Sequence, residues 1–312
     1  MSAIHIANAP CSWGTLEFAG LEGERIEYSQ MLNELRATGY TGTELGDWGY
    51  MPSEPGELKR ELLSRSLAMV GAFVPVALKD ADAHAQGEVH ALRVARLLAG
   101  VVESAGDFSS PVLVLADDNG LDQQRTLFAG RVIPQMGLSP AEWRTFARGA
   151  ERIAHAVREE TGLRTAFHHH CAGYVETPAE IARLLELTDP DLLGLVFDTG
   201  HYLYGSGQSA SAVVVEGLER FHSRIWHIHL KDCQPQIAAR ARQEGWDYFT
   251  ALQHGIFCEL GQGAVPFAEI AAALRRYAYH GWMVVEQDIL PGMGSPRASA
   301  QRNRTYLHAI GL

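Results

Sequence analysis

Short apolar runs alternate along the chain with longer stretches whose apolar residues recur at helical spacing. The first run is Ile4 to Ala7. A helix follows from about Tyr28 to Thr38, with Met31, Leu32 and Leu35 on one side and Gly39 as its stop. Thr41 to Leu45 is the second run, and Pro55 to Met69 reads as a helix. The third run is Ala72 to Leu78, before a helix from Glu88 to Ala105. Pro111 to Leu115 is the fourth run, closed by Ala116-Asp117-Asp118 and a polar loop. The helix from Pro140 to Thr161 has Ser139 as N-cap, Glu142 as capping-box partner and Gly162 past its end. Arg164 to Phe167 is the fifth run and leads into His168-His169-His170. The next helix starts near Pro178, capped by Thr177 with Glu180 three residues on. Leu192 to Phe197 is the sixth run, with a helix from Ser211 to Phe221. Ile225 to Leu230 is the seventh, followed by a long segment, 232–264, and a helix from Pro266 to Tyr277. Trp282 to Val285 is the eighth, and a last helix begins around Arg297.

Eight strand-like runs, each followed by a helix, predict a single-domain α/β fold, a closed (β/α)₈ TIM barrel over residues 1–312. An open doubly wound sheet gives the same local signals. It concentrates its site at one switch point, whereas here polar residues end runs two, four, five, six, seven and eight, and no glycine-rich phosphate loop follows any strand. A barrel puts its active site at the C-terminal ends of the strands, where these residues collect.

Four positions stand out: His168, Asp198, His229 and Glu286, closing strands five to eight, which are neighbours in a barrel. Two imidazoles and two carboxylates converging at one mouth make an N/O site suited to Mn²⁺, Co²⁺, Zn²⁺ or Fe²⁺, and burying those carboxylates without a cation would be costly. Strand alternation puts His168 and His170 on one face and His169 on the other; His227 and His229 share a face. We assign His168 and His229 to the ion, and His170, His201 and His227 to its surroundings or to substrate. His169 reads as a hydrogen-bonded residue facing a helix.

Glu44, ending strand two, reads either as an acid or base touching a polyol or as a strand-end charge paired with Lys or Arg. Trp13 reads as the apolar wall of a sugar-sized pocket or as a plug at the barrel mouth. Lys231 either stabilises an oxyanion or pairs with Asp232. Gly261 and Gly263 serve a lid over the substrate or simply a turn.

Charge and cysteines narrow the partners. With 26 basic against 37 acidic side chains and a net charge of -11, a nucleic-acid backbone is disfavoured as partner. No window reaches the length of a membrane span, and MSAIHIANAPCSW lacks the basic and apolar regions of a signal peptide. Four separated cysteines without a CxxC pair read as free thiols of a cytoplasmic protein. A small-molecule substrate is the partner expected, and a homo-oligomer is compatible with the pattern.

The motifs HHH, DTGH, HIHLKD, GQGxVPF and GWMVVEQD, with APCSW and YTGTELGDWGY before them, resemble the xylose-isomerase-like sugar isomerase/epimerase superfamily, and within it the inosose dehydratases of inositol breakdown. The resemblance spans essentially the whole chain. It implies one divalent ion, Mn²⁺ first and Co²⁺, Zn²⁺, Fe²⁺ or Mg²⁺ as alternatives, held by His168 or its neighbour, Asp198, His229 and Glu286. It also implies that His201 contacts substrate. Isomerases and epimerases of the superfamily carry glutamate where this chain has His168, and work with a symmetric pair of glutamates. Loss of that pair favours dehydration of a cyclic polyhydroxy ketone such as an inosose. The α-proton would leave to Glu286, Glu44 or His170, and a proton would reach the leaving hydroxyl from His201 or His227.

The nearest alternative is a metal-dependent isomerase or epimerase of a keto sugar or keto-inositol, distinguished by a product of unchanged mass. An endonuclease for abasic DNA, known in the same fold class, would need several ions and a basic surface. A barrel that only binds a sugar or a protein would hold metal without turnover.

Overall fold

The computed structural model describes residues 4–14, 26–102, 110–290 and 294–312. Eight parallel strands close into a barrel: β1 (His5–Asn8), β2 (Gly42–Glu44), β3 (Ala68–Val76), β4 (Val112–Asp117), β5 (Arg164–His168), β6 (Leu193–Asp198), β7 (Ile225–Leu230) and, after a short antiparallel pair β8 (Asp232–Cys233) and β9 (Phe257–Cys258), the closing strand β10 (Trp282–Val285). β10 lies between β7 and β1, which completes the ring. This is the (β/α)₈ architecture that the alternation of runs predicts.

Helices α1 (Tyr28–Ala37), α2 (Pro55–Leu63), α3 (Ala83–Val101), α4 (Gln123–Leu127), α5 (Pro140–Thr161), α6 (Pro178–Leu187), α7 (Thr199–Gly205), α8 (Ala212–Phe221), α9 (Pro235–Glu244), α10 (Tyr248–Gln253), α11 (Phe267–Arg276) and α12 (Pro296–Ala309) follow in chain order. α5 shows why they form where they do. Trp143, Phe146, Ala150, Ile153 and Val157 recur every three or four residues and are buried. Its first turn closes as a capping box: Ser139 N donates to Glu142 Oε2 at 2.8 Å and Glu142 N to Ser139 Oγ at 3.4 Å. Such a cap contributes about 1 kcal/mol. Thr177 and Glu180 build the same box on α6.

The large apolar cluster fills the space between strands and helices. Two smaller clusters come from the opposite faces of the strands, one around Ala7, Val70, Trp282 and Val284 and one around Val112, Val114, Ala166 and Val196. They fill the barrel interior, so the polar residues sit on an apolar floor.

Three departures from the sequence pattern bear on the site. The helix expected over 55–69 stops at Leu63, and β3 starts at Ala68 rather than Ala72. Leu67, Ala68 and Met69 prolong the apolar spacing, but Ser66 adopts a left-handed φ of 54° that turns the chain into the sheet. The residues 103–105 of the expected helix over 88–105 lie outside the described residues. The segment 232–264 carries β8, α9, α10 and β9, and β8 pairs with β9. No described helix is long and apolar enough to cross a membrane.

Candidate metal centre

Strand register brings the four strand-end residues together. Asp198 lies opposite His229, and Val284 opposite His229 on the other side, so Glu286, two residues on, faces the same space. His168, at the end of β5, pairs in register with Val196, two residues before Asp198. One donor atom from each of His168, Asp198, His229 and Glu286 lies within 4.8 Å of the others, and all four residues are buried.

The donor set fits a divalent ion. His168 Nδ1 and Nε2, Asp198 Oδ2 and His229 Nδ1 are buried and make no hydrogen bond among the described residues. Such orphaned atoms are expensive unless something binds them. His168 Nε2 is 3.6 Å from Asp198 Oδ2, and His229 Nδ1 is 3.3 Å from Glu286 Oε1. Donors about 2.1 Å from a common ion lie at most about 4.2 Å apart, so small side-chain adjustments close the set.

Each donor is held from behind. His229 Nε2 donates to Glu44 Oε1 at 2.9 Å, which leaves Nδ1 for the ion side. His227 Nε2 lies 2.8 Å from the same oxygen. Asp198 Oδ1 accepts from His201 N at 2.7 Å, capping α7, which leaves Oδ2 bare. Gly71 makes room for Glu44, since a Cβ there would stand 3.2 Å from Glu44 Oε1 and 3.1 Å from the Val112 carbonyl oxygen. A second close triad, Glu44, His227 and His229, is this hydrogen-bonded support.

The charges follow from these contacts. Burial raises the Glu44 pKa, but His229 and His227 outweigh it and bring it down to about 2. Burial lowers His229, yet Glu286 and Glu44 beside it lift it well above the ordinary value. Burial opposes ionisation of Glu286, but His229 and Lys231 hold it well below the usual carboxylate range. Burial and then His168 push His170 down to about 3, and burial and then His170 push His201 well below its ordinary value. Both are neutral imidazoles at pH 7.

The other expected positions divide. Lys231 is buried, with Nζ 2.9 Å from Asp288 Oδ2 and 3.3 Å from Glu286 Oε2. Its expected partner Asp232 points to the opposite face and accepts instead from the backbone N–H groups of Cys233, Gly261, Gly263 and Val265. The glycines of GQG therefore form a turn tied to Asp232. His170 and His201 rings approach to 3.8 Å, and the His201 ring stands 5.8 Å from that of His168. His169 Nε2 accepts from Asp198 N at 3.1 Å, on the helix side, and its ring packs edge-on against Tyr202 of α7. Glu44 pairs with histidines rather than Lys or Arg, at the His229 nitrogen opposite the one that faces Glu286, and His227 is bound there with it. Trp13 is buried, its N–H donating to Glu34 Oε2 at 2.9 Å.

Residues not singled out by the sequence also border the centre. Asp288 grips Lys231, and alternation from Glu286 was the signal for it. The Phe257 ring meets His201 at 4.8 Å and Lys231 Nζ at 4.8 Å, and Tyr248 stands 5.6 Å from His170. Neither aromatic carries a sequence signal, because the fold of 232–264 alone brings them in.

The family model for xylose isomerase-like TIM barrels matches residues 32–307. An inosose dehydratase of Geobacillus kaustophilus (strain HTA426) is 30% identical over 310 residues, covering 99% of this chain and 96% of the relative. One from Lacticaseibacillus casei is 29% identical over 306 residues, covering 98% and 97%. Among solved structures, a probable 3-DHS dehydratase from Bacillus anthracis superposes with a TM-score of 0.68 at 14% identity, covering 98% of this chain and 99% of that one. With its fold, its buried His/Asp/Glu cluster and these relatives in agreement, the chain belongs to the xylose isomerase-like TIM barrel family and stands close to the inosose dehydratases within it.

Proposed function

We propose that the protein is a metal-dependent lyase that removes water from a cyclic polyhydroxy ketone of the inosose type. The observation that carries this reading is the convergence of His168, Asp198, His229 and Glu286 at one barrel mouth, with bare donor atoms on the first three, in a chain related over nearly its whole length to inosose dehydratases. Those four residues would hold one divalent ion, Mn²⁺ being the first candidate. When bound, such an ion polarises a ketone and stabilises negative charge developing on the neighbouring carbon.

The chain's own residues supply the rest. The Lys231 ammonium, kept charged by Asp288 and Glu286, offers a fixed positive charge beside the ligand carboxylate. His170 and His201 are buried and adjacent, their rings 3.8 Å apart, and are the candidates for proton handling. Glu44 and His227 orient His229 and do not touch substrate on this reading. Histidine at the strand-five position, in place of a second glutamate, weighs against a two-glutamate epimerisation.

The test is a mass-resolved product screen with Mn²⁺ against inososes and ketohexoses. A product 18 mass units lighter, the mass of one water, supports the proposal. A product of unchanged mass would establish an isomerase or epimerase instead.

A further inference from the structure

We propose that the barrel end away from the metal centre holds a second, non-catalytic site for a small planar anion of the aromatic carboxylate class. This site does not depend on which reaction the barrel mouth performs.

A cavity of about 250 Å³ opens where the strands begin. Arg164 and Ile225, the first residues of β5 and β7, line it with Leu218 of α8 and Leu274 of α11. His168 closes β5 four residues further on, a rise of about 13 Å. The cavity and the four metal donors therefore sit at opposite ends of the barrel.

Two local irregularities build its walls. The β6–β7 ladder slips between Leu195 and Val196, which pair with Ile225 and His227, so Trp226 is an extra residue between them. A bulge of this kind re-aims a side chain. The indole packs under the interior cluster of Val112, Val114, Ala166 and Val196. Gly194 admits it, since a Cβ there would stand 2.1 Å from Trp226 Cδ2. The Arg164 guanidinium lies over this ring, 4.9 Å from its centroid. After α11, Ala278 adopts a left-handed φ of 49°, disfavoured for a residue with a Cβ, and the turn leaves Tyr277 and Tyr279 beside the cavity. Tyr279 is buried and donates its O–H to the Trp282 carbonyl at 2.9 Å. Tyr277 is 38% exposed, and its ring stacks on that of His222 at 4.1 Å.

Charge and shape select the ligand. Arg164, His222 and His280 line the cavity, and no carboxylate does. The Arg164 guanidinium has the Trp226 ring, and no carboxylate, as its partner among the described residues. Glu219, on the helix that leads to His222, is engaged by Arg276 at 2.6 Å. In a chain of net charge -11, a cationic hollow draws an anion that most of the surface repels. A guanidinium receives a carboxylate through its planar fork, and the faces of Trp226 and Tyr277 suit a flat ring better than a puckered one. The volume falls below that of a pocket for a drug-sized molecule, which limits the ligand to about one ring and one charged group.

Calorimetric titration of benzoate into chelator-treated protein tests this. Benzoate should bind at least about tenfold more tightly than cyclohexanecarboxylate, which keeps the charge and puckers the ring, or benzamide, which keeps the ring and loses the charge. Arg164→Gln should weaken benzoate about tenfold or more, and Arg164→Lys, which keeps the charge without the fork, by less. Tyr277→Ala should weaken it about fivefold. Asp198→Ala, at the other end of the barrel, should leave it unchanged. No heat of binding up to about 10 mM benzoate, or equal affinity for the three compounds, would overturn the proposal. So would affinity lost in Asp198→Ala and kept in Arg164→Gln, which would put the anion at the barrel mouth. If Arg164→Gln does not fold, Arg164→Lys and Tyr277→Ala decide.

Discussion

Glu44 Oε1 accepts from His229 Nε2 at 2.9 Å, across the imidazole from the nitrogen that faces Glu286. A metal-binding histidine is oriented by the partner of its other nitrogen, and losing that partner costs about 10–100-fold in metal affinity. Glu44→Ala should therefore weaken Mn²⁺ binding by about that factor while all four donors remain. Isothermal titration of Mn²⁺ into chelator-treated protein measures it, and an unchanged Kd would show that Glu44 does not orient His229.

Lys231 is buried between Asp288 and Glu286, and removing one member of a buried ionic set leaves the others uncompensated. Lys231→Met should lower the stability of the metal-free protein by about 3 kcal/mol. Adding Asp288→Asn should return a large part of that, because the second charge goes too. Urea unfolding of both variants reads the difference, and additive losses would mean the pair is not coupled.

Glu176 brings a cost that depends on pH. Burial raises its pKa to about 7, with Arg125 and the Gly130 and Ala172 amides offsetting only part of the rise. The unfolded chain releases this proton near 4.5 and the folded one near 7, so stability declines as pH climbs between those values, by up to about 3 kcal/mol. The stability of wild type relative to Glu176→Gln should fall from pH 5 to pH 8. A gap that instead moves in favour of wild type would mean the carboxylate's pKa is lowered by folding.

Asp232 gathers four backbone N–H groups, those of Gly261, Gly263, Val265 and Cys233. Asp232→Ala should speed amide exchange at Gly261, Gly263 and Val265 by at least tenfold, as losing about 1.5 kcal/mol of charged hydrogen bonding implies. Exchange in β7 should change much less. Equal acceleration in both places would point to global rather than local opening.

The barrel and the ligand cluster were legible because each rests on local signals. Runs such as Leu192–Phe197 are apolar on both faces, and a polar residue at the end of each marks the mouth of the barrel. The support behind the cluster was not legible. Glu44 meets His227 and His229 across more than 180 positions of sequence, and nothing in YTGTELG announces that pairing. Arg125, Glu176 and Glu180 form a buried network whose members look like ordinary surface charges in sequence. Lys231 and Asp232 are instructive, since neighbours on an extended chain face opposite ways. The alternation that paired His227 with His229 would also have directed Lys231 toward Asp288. The boundary near residue 66 was misplaced because Leu67 to Met69 satisfy a helix and a strand equally, and the deciding left-handed turn at Ser66 leaves no mark in residue type.

Metal stoichiometry tests the account most directly. Wild type, stripped with chelator and reloaded with Mn²⁺, should retain one equivalent by elemental analysis after gel filtration. Asp198→Ala, His229→Ala and Glu286→Ala, each shown to be folded by circular dichroism, should retain little or none. Folded variants that still carry a full equivalent would contradict the assignment of these side chains to the ion, and with it the chemistry proposed for the barrel mouth.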